Sequence, residues 1–172
     1  MSSINLNLGC GDTVAPGEFG VDIRPTPAVS VVADIGGSLP FRSDSVDSVT
    51  AIHCLEHMKD VLAVIEEIFR VLKPNGILNV AVPHVSNIGF FRDPTHYRPF
   101  TLGTFDYFVR GAKPVDYTPV EFEYVERRLV FGRGLRGSIG KMLYKLSPRR
   151  YEKYSAWKYP CYEIRVTLRA LK

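Results

Sequence analysis

With 172 residues, 45% of them hydrophobic and 23% charged, the chain holds enough apolar material for one buried core and is too short for two ordinary domains. Its apolar runs fall short of the roughly 20 residues that cross a bilayer. "MSSINLNLGC" lacks the basic head and long apolar centre of a secretory signal, so a cytoplasmic protein is expected. The net charge of +4 conceals an asymmetry: residues 1–126 hold 9 Lys/Arg against 16 Asp/Glu, and residues 127–158 hold 10 against 1.

In chain order, "INLNL" (4–8) predicts a first strand and "FGVDI" (19–23) a second, separated by a turn-rich stretch with Gly11, Pro16 and Gly17. The β-branched run in "SVVADI" (30–35) predicts a third, stopped by Gly36 and Gly37, and "SVTAIHC" (48–54) a fourth. Residues 60–72 place apolar side chains at 61, 64, 65, 68 and 72, the 3.6-residue period of a helix lying on a core. Asp60 caps it and "KPNG" stops it. "ILNVAVP" (77–83) predicts a fifth strand covered on both faces, so strand, helix and strand form a right-handed crossover of a parallel sheet. "VEFEYVERRLVF" (120–131) and "CYEIRVTLRAL" (161–171) alternate as a late antiparallel pair.

A glycine-rich loop leaving the first strand, with Asp22 closing the second, is how open α/β sheets hold a nucleoside across the strands' carboxyl ends. A dinucleotide site needs a third glycine where Val14 stands, and an acid about 20 residues on rather than 11. The loop also lacks the lysine and hydroxyl of a P-loop. The spacing points to a nucleoside without a pyrophosphate. Cys10, Cys54 and Cys161 have no CxxC spacing and are expected to be buried, inert thiols. No metal is expected, since His53, Cys54 and His57 lack a fourth ligand at a recognisable spacing.

Taken together, "LNLGCGD", "GVDI", "ADIGGSLPF", "SVDSVTAIHCLEHM", "IEEIFRVLKPNGILNVAVP" and "DPTHYRPFT" resemble the class I S-adenosylmethionine-dependent methyltransferases, close to the type 11 group. The resemblance covers about residues 4–110. It implies an α/β, Rossmann-like, seven-stranded, mostly parallel sheet with an antiparallel last strand and helices on both faces. It also implies a single methyltransferase domain over 1–172, with a basic insertion at about 132–159 between the last two strands. The cofactor implied is S-adenosyl-L-methionine, with the backbone of Leu8, Gly9, Cys10 and Gly11 beside its methionine part and Asp22 and Ile23 at the ribose. Asp34 and Ile35 would meet the adenine, and His53 and His57 would line the floor. One departure is plain: about nine residues with Pro16 and Gly17 replace the usual helix between the first two strands. A lid from another subunit of a homo-oligomer is one way to close such a site.

The methyl acceptor, a small molecule or glycan, is expected over the loop after the fifth strand, "VPHVSNIGFFRDPTHYRPFT". A base is required only for a hydroxyl or protonated amine acceptor; His96 is the first candidate and His84 the second. Alternatively the loop is a structural turn, with its histidine on backbone carbonyls and Arg98 paired to Asp93. In the basic segment, Ile139, Met142, Leu143 and Leu146 share a helical face. It either packs on the acidic body or meets an anionic membrane surface or acidic partner. Nucleic acid is not expected, because no RNA-binding motif accompanies the aromatics. The competing class is a non-catalytic nucleoside-binding module that docks a partner through residues 127–158.

Overall fold

The amphipathic period of residues 60–72 produces the helix that organises the chain. In the computed structural model, which describes residues 3–172, helix α1 spans Val61–Val71. The Asp60 carboxylate accepts from the Ala63 N–H at 3.1 Å, and Val64, Ile65, Ile68 and Val71 are buried. The chain extends at Leu72 and enters strand β5, Leu72–Pro83. This strand starts earlier than its apolar run suggests because Leu72 pairs with Val46; a register shift before Ser48 and a left-handed Asn75 (φ 63°) absorb the irregularity.

Six further strands complete one sheet: β1 Asn5–Leu8, β2 Phe19–Asp22, β3 Val29–Val32, β4 Val46–Ile52, β6 Phe122–Phe131 and β7 Cys161–Ala170. Their order is β3-β2-β1-β4-β5-β7-β6, and β7 runs antiparallel to both neighbours. Strand order reverses between β1 and β4, which opens a crevice at their carboxyl ends. The α/β class and the mostly parallel seven-stranded sheet are therefore as the sequence implies, but the cover expected on both faces is not: the face carrying Asn5, Asn7, Ser48, Thr50 and Asn79 is polar and is crossed by loop at residues 9–18.

Burial across the sheet is one-sided. Leu6, Leu8, Val49, Ala51, Leu78, Val80, Ile164, Val166 and Leu168 join α1 in a single core. A 3-10 helix at Leu102–Phe108 adds Leu102, Phe105 and Phe108 to it. The alternate residues are polar and satisfy one another. Ser48 donates to Asn5 (2.8 Å), Asn7 and Thr50 both donate to Glu18 (3.1 Å), Thr167 donates to Asn79 (3.0 Å), and Arg169 pairs with Glu123 (2.7 Å). Residues 9–18 cross that flank as loop and turns without a helix. A face that hydrogen-bonds itself does not require an apolar cover.

Beyond β5 lie α2 (Ile88–Arg92), α3 (Leu135–Leu146) and α4 (Pro148–Tyr154), the last two forming the basic insertion. The residues α3 buries are Gly137 and Gly140. Leu143 and Tyr144 pack half-buried against the core, whereas Met142 and Leu146 are 53% and 76% exposed. The expected apolar face is thus divided, and the glycine side makes the contact. A Cβ on Gly137 would lie 1.9 Å from the Gly132 carbonyl oxygen, and one on Gly140 would lie 2.9 Å from the Phe131 ring.

Gly137→Ala gains about 1 kcal/mol of helix propensity, but overpacking of this kind costs about 1–3 kcal/mol, and here the opposing atom is backbone. Urea denaturation is expected to show net destabilisation, while the exposed Ser138→Ala stays within about 0.5 kcal/mol of the parent.

Candidate active site

The crevice at the carboxyl ends of β1, β2 and β4 contains a cavity of about 660 Å³, within the range of about 300–1,000 Å³ usual for small-ligand sites. Eight of the ten expected cofactor residues line it: Gly9, Gly11, Asp22, Ile23, Asp34, Ile35, His53 and His57. Leu8 and Cys10 do not; Leu8 lies in the core and Cys10 is buried beside it. Arg24, Cys54, Met58 and Thr95 complete the wall.

Local backbone chemistry shapes the cradle. Gly9 (φ 67°) and Gly11 (φ 57°) are left-handed, and a Cβ on Gly9 would fall 2.9 Å from Cys54 Sγ. Only glycine lets β1 turn this close to the end of β4. The Gly11 N–H donates to Asp22 Oδ2 and the Arg24 N–H to Oδ1, both at 2.9 Å. Burial pushes the Asp22 pKa up, but the Arg24 and Gly11 N–H groups together with the Arg24 charge outweigh it and hold the carboxyl below its usual range. Asp22 therefore stays ionised, and each oxygen keeps a lone pair for a hydroxyl donor. Asp34 is exposed at the rim and accepts from the Gly36 N–H (2.8 Å).

The thiols are inert, as expected. Burial, with the charges of Glu56 and Asp22, pushes the Cys54 pKa up to about 12, and burial likewise raises that of Cys10. All three cysteines are free and buried, so none offers a thiolate at neutral pH.

A 3-10 turn at Leu55–His57 follows β4 and fixes the opposite wall. The loop after α2 is clamped to it: the Tyr97 N–H donates to the Glu56 carbonyl (2.8 Å), and Arg98 reaches the Lys59 carbonyl (2.9 Å). The Arg98–Asp93 pair considered for this loop does not form; the Asp93 carboxylate accepts from the Thr95 hydroxyl and N–H instead. His96 Nδ1 does bond a backbone carbonyl, that of Phe90 (2.9 Å), and its ring meets His57 edge-on with centroids 4.6 Å apart. His96 is therefore one ring removed from the cavity. His84 is elsewhere in its contacts: fully buried, with Nδ1 at Ser86 and Nε2 at Glu152 of α4 (3.1 Å).

Two groups escaped the sequence reading. Arg24 follows directly on Asp22, and Glu56 adjoins His57 within "HCLEHM", but nothing in their spacing reveals that one walls the cavity and the other is buried behind it.

The strand order defines a Rossmann-like fold, with the glycine-aspartate cradle lining the crevice at its switch point. Residues 18–80 match the family model described as a methyltransferase domain. Over 78 residues, 38% of this chain, the sequence is 33% identical to YcgJ of Bacillus subtilis (strain 168), an uncharacterized methyltransferase, and the match spans 30% of that protein. The crystal structure of YcgJ is similar over 99% of this chain and 93% of its own, with a TM-score of 0.62 at 15% identity. A SAM-dependent methyltransferase from Archaeoglobus fulgidus is similar over 97% and 86% (TM-score 0.60, 16% identity). So is the 1,6-didemethyltoxoflavin-N1-methyltransferase of Burkholderia thailandensis, solved with 1,6-didemethyltoxoflavin and S-adenosylhomocysteine, over 99% and 72% (TM-score 0.59, 15% identity). The methyltransferase-domain match covers 18–80, about a third of the chain, and the likeness to the solved structures is one of fold: the chain shares its Rossmann-like architecture with S-adenosylmethionine-dependent methyltransferases.

His53 sits between Glu56 Oε1 (3.2 Å) and Glu163 Oε2 (3.0 Å). The hydrogen bond to Glu56 outweighs burial and, with the charges of both glutamates, raises its pKa above the ordinary 6.5. A raised folded-state pKa contributes stability that is complete below the unfolded value and is lost as pH rises through the folded one. The melting-temperature deficit of His53→Gln relative to the parent should therefore be larger at pH 5.5 than at pH 9.

Proposed function

We propose that this protein transfers a methyl group from S-adenosyl-L-methionine to a small-molecule or glycan-type acceptor. The observation that carries the reading is the cradle formed by Gly9, Gly11 and the doubly N–H-bound Asp22 at the strand-order switch point. The residues fit the cofactor: close backbone at Gly9 and Gly11, an ionised carboxylate for the ribose hydroxyls at Asp22, and Asp34 with Ile35 for the adenine. When bound, the cofactor supplies an electrophilic methyl group. The chain's task is then to hold an acceptor in line with it.

The acceptor side is the clamped loop, where Thr95 lines the cavity wall and Phe91 and Tyr97 of the same segment are exposed. Flat apolar faces of this kind suit a ring-shaped acceptor. His96 is the residue proposed to activate a hydroxyl acceptor, because the Phe90 carbonyl holds its Nδ1–H and leaves Nε2 with a lone pair. His84 is assigned a tie between the end of β5 and α4, since both of its ring nitrogens are engaged out of solvent. A titration with S-adenosylmethionine, S-adenosylhomocysteine and NAD should give binding of the first two alone. Asp22→Ala should weaken that binding by about 1.5–3 kcal/mol, the scale of a hydrogen bond to a charged group; unchanged affinity would remove Asp22 from the site.

A second, compatible reading concerns location. Among the described residues no helix is long and apolar enough to cross a membrane. The insertion instead turns Leu135, Met142 and Leu146 outward on one side of α3, with Trp157 68% and Tyr154 71% exposed nearby in sequence. None of the eight Lys and Arg side chains from Arg133 to Lys158 is in an ion pair among the described residues. Attraction to the acidic body acts at the start of the basic segment, where Arg127 pairs with Asp106 and Arg128 with Glu126 (both 2.8 Å), and leaves the cations of the two helices unpaired among the described residues. An outward apolar stripe flanked by free cations suits a peripheral contact with an anionic membrane. The protein should sediment with phosphatidylglycerol vesicles and not with phosphatidylcholine vesicles. Leu146→Glu should reduce sedimentation, as should salt at about 1 M, where screening acts within about 3 Å.

A further inference from the structure

The cofactor cradle leaves one buried group unexplained. Glu56 is 0% exposed; its Oε1 meets His53, and its Oε2 has no hydrogen-bond partner. A carboxylate withdrawn from water with an open oxygen is strongly unfavourable unless something completes it. Ligand atoms of Glu56, His57 and His96 all lie within 4.8 Å of one another.

The hydrogen bonds around this group fix the histidine tautomers. The Thr95 hydroxyl donates to Asp93 Oδ1 (2.6 Å), so its oxygen accepts from His57 Nδ1 (2.9 Å). A carbonyl can only accept, so His96 Nδ1 donates to Phe90 (2.9 Å). In its neutral form each ring therefore carries its proton on Nδ1 and presents Nε2 as a lone pair, with Asp93 Oδ2 3.8 Å from that of His96. Metal-binding histidines are oriented in this way, with the second ring nitrogen held by a carbonyl or by a carboxylate-linked group. His53 completes the pattern by fixing Glu56 through Oε1. Two imidazoles and one carboxylate with open positions form a donor set for first-row divalent cations rather than for magnesium or calcium, which favour all-oxygen sites.

We propose that Glu56, His57 and His96 bind one divalent transition cation at the wall of the cavity that His57 and Thr95 line. Its open positions would take an acceptor hydroxyl, whose proton leaves to solvent as the oxygen coordinates. Oxygen then forms the new bond to the methyl carbon as the sulfur–carbon bond breaks. His96 thus activates the acceptor as a ligand rather than by taking the proton itself. The acceptor role rests on the methyl-transfer reading; the binding of the cation does not.

The full chain, stripped with a chelator, is titrated with Co²⁺ followed by visible absorbance, and with Zn²⁺ by calorimetry. One Co²⁺ per chain with ligand-field bands, displaced by Zn²⁺, is expected. Glu56→Gln, His57→Ala and His96→Ala should each weaken binding at least tenfold, while Asp22→Ala should retain it and lose cofactor affinity. Turnover, where an acceptor is found, should be restored to the stripped enzyme by the cation. Absence of binding by the unsubstituted chain, or binding indifferent to Glu56→Gln and His57→Ala, would overturn the site. Cation binding without any affinity for S-adenosylmethionine would leave the site standing and sink the methyl-transfer reading alone.

Discussion

The Asp22 carboxylate, taking one N–H from Gly11 and one from Arg24, is the interaction on which the rest of the site depends. It ties the end of β2 to the turn leaving β1 across a loop that has no helix to stiffen it. A buried carboxylate is tolerable there because donors hold it ionised. In the proposed function, the same charge that fixes the turn is the one a ribose would meet. Structure and recognition therefore draw on one side chain.

The sheet is shaped by a second constraint, its division into an apolar and a polar face. Period-two alternation sends Leu6, Leu8, Val49 and Ala51 to the core and Asn5, Asn7, Ser48 and Thr50 to the other side. Glu18, at the end of the loop, serves as common acceptor for Asn7 and Thr50. The short β1–β2 connection and the polar flank belong together. A full helix there would have needed an apolar seat that these residues do not provide.

The basic insertion inverts the usual logic of an amphipathic helix. Gly137 and Gly140 approach the backbone of Gly132 and the Phe131 ring so closely that no side chain fits between. The larger apolar residues are then left facing away. The insertion remains anchored through α4, where Tyr151 is buried and Glu152 accepts from the Leu102 N–H (2.7 Å) and meets His84. Anchoring by one element frees the surface of the other.

What is local can be read from the chain alone. The period of residues 60–72, the alternation of the strands, and the glycines and Asp22 at their spacing were enough to specify the strand–helix–strand crossover, the crevice at the strand ends and eight of its lining residues. Each follows from a repeat or a turn requirement expressed within a few positions. Three-dimensional packing sets which way side chains of equal character face: His84 into the body, His96 toward His57, Leu146 to solvent. It alone brought Glu56 and His57 against a histidine from a loop far along the chain. Hydropathy records how apolar a residue is, but not which neighbour stands close enough to exclude it. That is set by the packing of Gly137 and by the clamp of Tyr97 and Arg98 on the turn after β4.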